Sequence, residues 1–419
     1  MGCAKNSVDS ERLAAQLRLN DIEIVSESQS ADIAVINTCG FIDAAKQESI
    51  DAIIAQVKLK GKGRLKKVYA MGCLTERYRV DLSKEIPEVD RYFGTNDLED
   101  ILRELGGNLK RELLGERILS TPSHSAYLKI SEGCDNPCSF CAIPLMRGKH
   151  ASREMNSLLD EARHLVDKGV RELVVIGQDT TYYGLDTTGR RELPVLLHAL
   201  ADIPDVTWVR LMYAYPAHFP LEVLDVIANH PKVCKYIDIP IQHSADPVLK
   251  SMRRGISSRG LVELLDSIRE RVPDIAIRTT LITGYPAEGT KEFDELLHFV
   301  EVQKFHRLGV FPYSLEEGTT AFDLGDTIPA EEKSRRVSLL MELQREISLN
   351  RNESLVGSVV EVMAEREEDG RWVGRSSHDA PEIDNEVHFG AQYPLSPGSL
   401  YPVTVEDATE YDLYGTHIA

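Results

Sequence analysis

The sequence predicts an α/β chain in three parts: an amino-terminal open parallel α/β domain, a central partial (β/α)6 TIM-like barrel, and a carboxy-terminal small antiparallel β-barrel. Three observations carry this. Short apolar runs alternate with helix-period segments over most of the 419 residues, which is the rhythm of a parallel sheet. Cysteines fall at the ends of those apolar runs rather than inside them. After residue 355 the helical period gives way to short strand-like pieces joined by glycine and acidic turns, the pattern of a small barrel. The expected domains are 1–118, 119–350 and 351–419.

In the first part, 5–19 has helical spacing through Val8, Leu13, Leu17 and Leu19. The run 33–37 is a buried-strand pattern ending at Thr38-Cys39-Gly40, and 67–71 is another, ending at Gly72-Cys73-Leu74, with a helix-like stretch over 44–59 between them. In an open parallel sheet the loops after the strand carboxyl ends meet at one edge. Cys3, Cys39 and Cys73 are therefore expected at a common rim as a three-thiolate site, although any one of them alone reads as a small buried side chain. The plan calls for a strand before Cys3 that the sequence as given does not show. From 98 to 121 the pattern weakens, and Gly106-Gly107 and Thr121-Pro122-Ser123 punctuate the boundary.

The second part opens on LKISEGCDNPCSFCAIPLMRGKHASR, residues 128–153, with Cys134, Cys138 and Cys141 spaced C-x3-C-x2-C. Three thiolates suit three irons of a [4Fe-4S] cube, whereas a closed zinc site needs a fourth ligand. The open iron would then accept an exchangeable group, and the amino and carboxylate groups of S-adenosylmethionine fit it. A zinc site completed by His150, or buried free thiols, are the alternatives. Strands are expected at 127–131, 172–177, 208–213, 235–240, 276–283 and 309–312, with helices at 154–168, 220–229, 260–271 and 290–303. Such barrels keep their chemistry at strand carboxyl ends. Gln178 and Asp179 follow the second strand there, Asp238 and His243 bracket the fourth, and Arg278 lies in the fifth. Gln178 and Asp179 suit a ribose or amino-acid head group, Arg278 suits a carboxylate, and His243 suits cofactor or substrate. Turn caps and satisfied core side chains are the plainer reading of each. Arg147 and Arg153 either neutralise the cysteine region, bind a carboxylate or form structural ion pairs.

After a helical stretch at 331–350, strand-like pieces at 359–364, 371–376, 386–389 and 400–408 read as a barrel of five strands. Residues 351–419 hold 4 Lys plus Arg against 14 Asp plus Glu, a formal net of −10. Small barrels that hold RNA are normally basic, so this one is expected to receive a basic protein, with Trp372 either an exposed anchor or a core residue. The whole chain carries −19, which disfavours attraction to bare nucleic acid. No stretch approaches the roughly 20 apolar residues of a membrane span, no basic-then-apolar leader opens the sequence, and seven cysteines clustered beside a metal-like motif point to a reducing, cytoplasmic setting.

Over nearly its whole length the chain resembles the radical S-adenosylmethionine methylthiotransferases. Cys134, Cys138 and Cys141 look like the radical motif; GCAKNSVDSE, INTCGFID and MGCLTE look like that family's amino-terminal domain, and 355–411 like its TRAM barrel. GQDTTYYG and the acidic barrel are similar to the branch that modifies an aspartate of ribosomal protein uS12, rather than the branches acting on tRNA adenosine. The resemblance implies two [4Fe-4S] clusters, one on each cysteine triad. It implies S-adenosylmethionine both as radical source and as methyl donor, an electron donor such as flavodoxin or ferredoxin, and a sulfur donor. uS12 would be met free or on the small subunit, without direct tRNA binding. Methylthiolation of tRNA, sulfur insertion into a small molecule by another two-cluster radical enzyme, and a non-enzymatic electron-transfer or ribosome-assembly role stand as alternatives.

Overall fold

The computed structural model describes residues 2–110, 113 and 115–418. In the amino-terminal part α1 (Ala4–Leu19) is followed by β1 (Ile33–Thr38), α2 (Asp43–Leu59), β2 (Lys67–Gly72), α3 (Cys73–Glu85), β3 (Arg91–Tyr92) and α4 (Leu98–Glu104). The three strands pair in parallel in the order β1-β2-β3. Tyr69 and Met71 face α1 and α4, whereas Val68 and Ala70 face α2, the period-two alternation of a strand buried on both faces. Helices α3 and α4 and strand β3 were not visible as periodic patterns. β3 and α4 are short, and all three take their stability from packing rather than from a marked amphipathic stripe.

The central part is built as expected. Its strands are β4 (Ser125–Lys129), the short ribbon pair β5 (Ser131–Glu132) and β6 (Ala151–Ser152), β7 (Glu172–Ile176), β8 (Trp208–Leu211), β9 (Val233–Asp238), β10 (Ala276–Thr283) and β11 (Arg307–Pro312). Between them run α5 (Ile143–Arg147), α6 (Met155–Asp167), α7 (Leu185–Thr188), α8 (Leu193–Ala201), α9 (Glu222–Asn229), α10 (Asp246–Ser251), α11 (Ser258–Arg271) and α12 (Thr290–Gln303), and α13 (Ala330–Glu353) follows the last strand. Six strands form one open parallel sheet in the order β11-β10-β9-β8-β7-β4. One face packs on the helices through Leu128, Leu173, Val175, Val209, Ile237 and Ile277. The other buries Tyr127, Val174, Ile176, Trp208, Tyr236 and Ala276, and it is covered by Val8 of α1 and by Met363 and Ala380 from the carboxy-terminal part. The outer parts therefore close the face that an incomplete barrel leaves open.

The carboxy-terminal part is a closed barrel of β12 (Val359–Glu368), β13 (Arg371–Ser376), β14 (Val387–Gly390), β15 (Leu400–Ala408) and β16 (Leu413–His417), in the order β12-β13-β14-β16-β15. Its fifth strand lies beyond 411, and β14 and β16 run parallel, so the barrel is mixed rather than wholly antiparallel. Trp372 is buried with Val362, Phe389, Val403 and Leu413. It fills the barrel, which removes the expectation that it is an exposed anchor.

Ion pairs in the interior join this barrel to the central sheet. Glu172 at the start of β7 accepts from Arg210 Nε at 2.8 Å and from Arg375 Nη2 at 2.5 Å, and all three side chains are fully or almost fully buried. Asp379 pairs with Arg307, and Glu365 meets both Arg375 and His124. Several acids counted as surface charge in the sequence are thus turned inward, while Glu361, Glu367, Glu368, Asp369, Glu406 and Asp407 remain exposed. Among the described residues no helix is long and apolar enough to cross a membrane.

Burial pushes the Glu172 carboxyl up, but Arg375 and Arg210 outweigh it and hold the group at about 2, against an ordinary 4.5. A depressed carboxyl stabilises the fold above its unfolded value, and the contribution is lost as pH falls from about 4.5 toward 2. Replacing Glu172 with Gln leaves the buried Arg210 guanidinium without a carboxylate and Arg375 with Glu365 alone, and is expected to cost about 3 kcal/mol. Thermal unfolding at pH 7 should show the loss, and the gap between variant and wild type should narrow as the pH is taken below 4.5.

Candidate cluster sites at one rim

The amino-terminal thiols are brought together by backbone placement. Cys3 is the residue that opens α1, and Cys73 is the first residue of α3. Both therefore stand at the positive end of a helix. Cys39 leaves the end of β1, and the Phe41 N–H points at its sulfur. A Cβ on Gly2 would meet Cys39 Cβ at 3.2 Å, and one on Gly40 would meet the Leu74 backbone at 2.8 Å. Glycine at these two positions lets the three loops close on one another. The thiols then lie near enough to act on each other electrostatically, Cys3 on Cys39 and both on Cys73.

The central thiols sit in a loop that the β5–β6 ribbon clips at its base, through Ser131 opposite Ser152 and Glu132 opposite Ala151. Backbone N–H groups of Asn136 and Ile143 point at the sulfurs of Cys134 and Cys141. Arg254 Nη1 donates to Cys138 Sγ at 3.1 Å, and the Tyr215 hydroxyl lies 3.6 Å from the same sulfur. Burial pushes Cys73 and Cys134 up to about 11 and Cys141 to about 12, so without a metal these thiols keep their protons at neutral pH. A metal that replaces the proton supplies the missing positive charge.

A single zinc with bonds of about 2.3 Å draws its sulfurs within about 4 Å of one another. Among the described residues no three cysteine sulfurs lie within 4.8 Å of one another. A cube instead offers each thiolate its own iron. His150 Nε2 lies 3.2 Å from Ser152 Oγ and its ring leans on Tyr182, while its Nδ1 is buried without a hydrogen-bond partner.

One short helix separates the two triads. Cys73 packs against Ala142, Ile143 and Met146, the residues that directly follow Cys141. Arg147, at the end of α5, donates from Nε to Cys73 Sγ at 3.3 Å, from Nη1 to Asp9 at 2.7 Å and to Glu132 at 3.3 Å, and from Nη2 to Asn6. Asn6 in turn donates to the Thr38 carbonyl at 3.1 Å, just before Cys39. Two further ties fix the rims against each other: Thr95 Oγ1 donates to the Met146 carbonyl at 2.9 Å, and Arg77 bonds to Glu316 at 2.6 Å and to the Gly40 carbonyl at 3.3 Å.

The polar residues singled out in the sequence divide into two groups. Asp179 accepts from Asn136 Nδ2 at 2.8 Å, which ties the rim to the loop between Cys134 and Cys138. Gln178 donates to Glu132 at 3.3 Å and leaves its Oε1 buried without a partner. Ser131 Oγ, Gln242 Oε1 and Ser244 Oγ, also near strand carboxyl ends, are buried and unpartnered as well. Such orphaned atoms at one rim suit a polar ligand. Asp238 and Arg278, by contrast, bond to each other at 2.9 Å, and Asp384 of the carboxy-terminal part approaches Arg278 Nε at 3.4 Å. His243 is fully buried, accepting from the Ala245 N–H and lying 3.3 Å from Glu288. Asp238 and Arg278 are engaged with each other, because a buried charge needs a partner, whereas His243 is held through Nδ1 and its Nε2 makes no hydrogen bond. Arg153 bonds to Glu161 at 2.8 Å and is structural.

Sequence reasoning missed Asn6, Asp9, Glu132, Asn136, Tyr215 and Arg254. Asn6, Asp9, Glu132 and Asn136 lie within the cysteine-bearing stretches themselves, whereas only the topology brings Tyr215 and Arg254 to Cys138. A further His198–Asp202–His230 group lies on the outer helices. His230 Nδ1 accepts from the Lys232 N–H there, which leaves Nε2 as a donor toward Asp202 and makes the group a surface charge cluster.

Three family descriptions match the chain: Uncharacterized protein family UPF0004 over residues 1–94, the Radical SAM superfamily over 128–300, and the TRAM domain over 356–418. A ribosomal protein uS12 methylthiotransferase RimO of Chloroherpeton thalassium is 53% identical over 99% of this chain and 96% of its own length. The protein of the same description from Cytophaga hutchinsonii is 51% identical at the same coverage. Among solved structures, the radical S-adenosylmethionine methyltransferase TsrM of Kitasatospora setae superposes with a TM-score of 0.54 at 14% identity, covering 77% of this chain and 74% of that one. That likeness concerns the fold alone.

Replacing Arg147 with Met strands Asp9 and Glu132 beside a single lysine and is expected to cost about 3 kcal/mol. Hydrogen exchange should locate the loosening in α1 and α5, with the carboxy-terminal barrel unchanged.

Proposed function

Because the chain belongs to the RimO family of ribosomal protein uS12 methylthiotransferases, we propose that its two cysteine triads each hold a [4Fe-4S] cluster and act together on one aspartate of uS12. The chain is a radical S-adenosylmethionine methylthiotransferase of uS12. In this reading Cys134, Cys138 and Cys141 hold the radical-generating cluster, and Cys3, Cys39 and Cys73 hold the second. The observation that carries it is the position of Cys73 against the helix that follows Cys141. A second thiolate site beside the first would let a substrate carbon lose its hydrogen and receive the methylthio group without leaving the rim.

When bound, the clusters and S-adenosylmethionine supply the one-electron chemistry that removes an unactivated hydrogen, together with the sulfur and methyl group that replace it. The residues of the chain bind, orient and shield. Ser131, Gln178 and Gln242 offer unpartnered polar atoms to the amino, carboxylate and ribose groups of the cofactor. Asp179, through Asn136, holds the loop between Cys134 and Cys138 in place. Asp238 and Arg278 keep the strand ends rigid through their mutual bond, and His243 leaves its buried Nε2 without a hydrogen bond. The β-carbon of an aspartate lies next to its carboxylate, and no acid or base of the chain is needed at that C–H bond. Each turnover requires two molecules of S-adenosylmethionine, one as radical source and one as methyl donor, plus a sulfur donor and a one-electron donor such as flavodoxin or ferredoxin.

Partner choice follows from charge. The exposed carboxylates Glu361, Glu367, Glu368, Asp369, Glu406 and Asp407 of the carboxy-terminal barrel repel a phosphate backbone and favour a basic protein segment. This favours uS12 over tRNA, whether uS12 is met free or on the small subunit.

Alanine at Cys134, Cys138 or Cys141 is expected to abolish formation of deoxyadenosine from S-adenosylmethionine. Alanine at Cys39 or Cys73 is expected to spare part of that cleavage and to eliminate methylthio transfer to uS12. Chromatography of the nucleoside product and mass spectrometry of uS12 read the two activities separately. Full activity with full iron content in both sets of variants would refute the assignment.

A further inference from the structure

Arg254 follows α10 and is 4% exposed. Its guanidinium donates to Cys138 Sγ at 3.1 Å and to the Pro240 carbonyl at 2.6 Å, stacks over the Tyr215 ring at 4.4 Å, and leaves Nε buried without a partner. Arg117, Arg147, Arg210, Arg336 and Arg375 are also buried, and each of them meets a carboxylate. Arg254 meets none among the described residues. A buried cation without a counter-ion is strongly disfavoured, so the anion that balances this one must come from the thiolate site it touches.

We propose that Arg254 is the positioning residue and fixed counter-charge of the Cys134–Cys138–Cys141 site, and that its N–H···S bond to Cys138 makes the cluster held there easier to reduce. The proposal rests on the cluster assignment above. Reduction adds negative charge to a group inside a poorly screened interior, where a fixed positive charge and a hydrogen bond to a ligand sulfur stabilise the reduced form more than the oxidised one. The bond to Pro240 and the stacking on Tyr215 hold the guanidinium in place, so little reorganisation accompanies electron transfer. Arg147 has a different part at Cys73, since Asp9 and Glu132 already balance its charge.

The test is a redox titration of the full-length chain carrying Cys39→Ala and Cys73→Ala, so that iron is read at the central triad alone. Iron and sulfide content establish loading, and the electron paramagnetic resonance signal of the reduced cluster is followed against applied potential. Arg254→Gln, loaded to the level of its parent, is expected to lower the ratio of reduced to oxidised cluster at least tenfold at a fixed potential, or ~59 mV for a one-electron couple. An unchanged midpoint in the loaded variant overturns the proposal. Should the Gln variant take up no iron, Arg254→Lys decides in its place: a midpoint lowered by a smaller amount supports the proposal, and an unchanged one overturns it. A parent that binds no iron at the central triad contradicts the cluster assignment itself, and the Arg254 role falls with it.

Discussion

A single guanidinium, that of Arg147, sits where the amino-terminal and central parts meet, and the arrangement of both thiol triads depends on it. It leaves the helix that follows Cys141, reaches Cys73 Sγ, and is held by Asp9 of α1 and Glu132 of β5. Lys129 joins the same two carboxylates from the end of β4. The network is charge-balanced, with Arg147 and Lys129 against Asp9 and Glu132, which is what permits so many ionic groups in a buried place. Its effect is positional. The wall between the two triads is one turn of helix with its polar end anchored on both sides.

The same logic recurs at the other end of the central sheet. An incomplete barrel leaves one face of its strands uncovered, and the chain covers it with α1 from one side and the carboxy-terminal barrel from the other. Glu172, Arg210 and Arg375 then lock that barrel from within, as do Asp379 with Arg307 and Asp384 with Arg278. The three parts thus form one packed body around the strand carboxyl ends, and the outward acids of the last barrel are presented from a fixed base rather than from a tethered tail.

Much of this was legible in the sequence, for identifiable reasons. The six cysteines stood out because spacing and strand-end position are local properties, and the βα rhythm exposed the central strands to within two residues, as at β9, expected at 235–240 and found at Val233–Asp238. What escaped was set by long-range partners. Arg278 was read as suiting a ligand's carboxylate, and in the fold it meets Asp238 and Asp384, the second more than a hundred residues away. Trp372 was open between surface and core until barrel closure enclosed it. Arg254 had no signal at all, because its significance is the absence of a carboxylate that only the folded chain reveals. The net charge of the last barrel was correct as a sum, yet it could not say which acids face inward.

The most direct test of the account is mass spectrometry of uS12 and of bulk tRNA after anaerobic incubation with the reconstituted chain, S-adenosylmethionine, a sulfide source and a strong reductant. The account predicts a methylthio increment on one aspartate of uS12 and none on tRNA. Deoxyadenosine formation with unmodified uS12 and a methylthiolated tRNA nucleoside would contradict it.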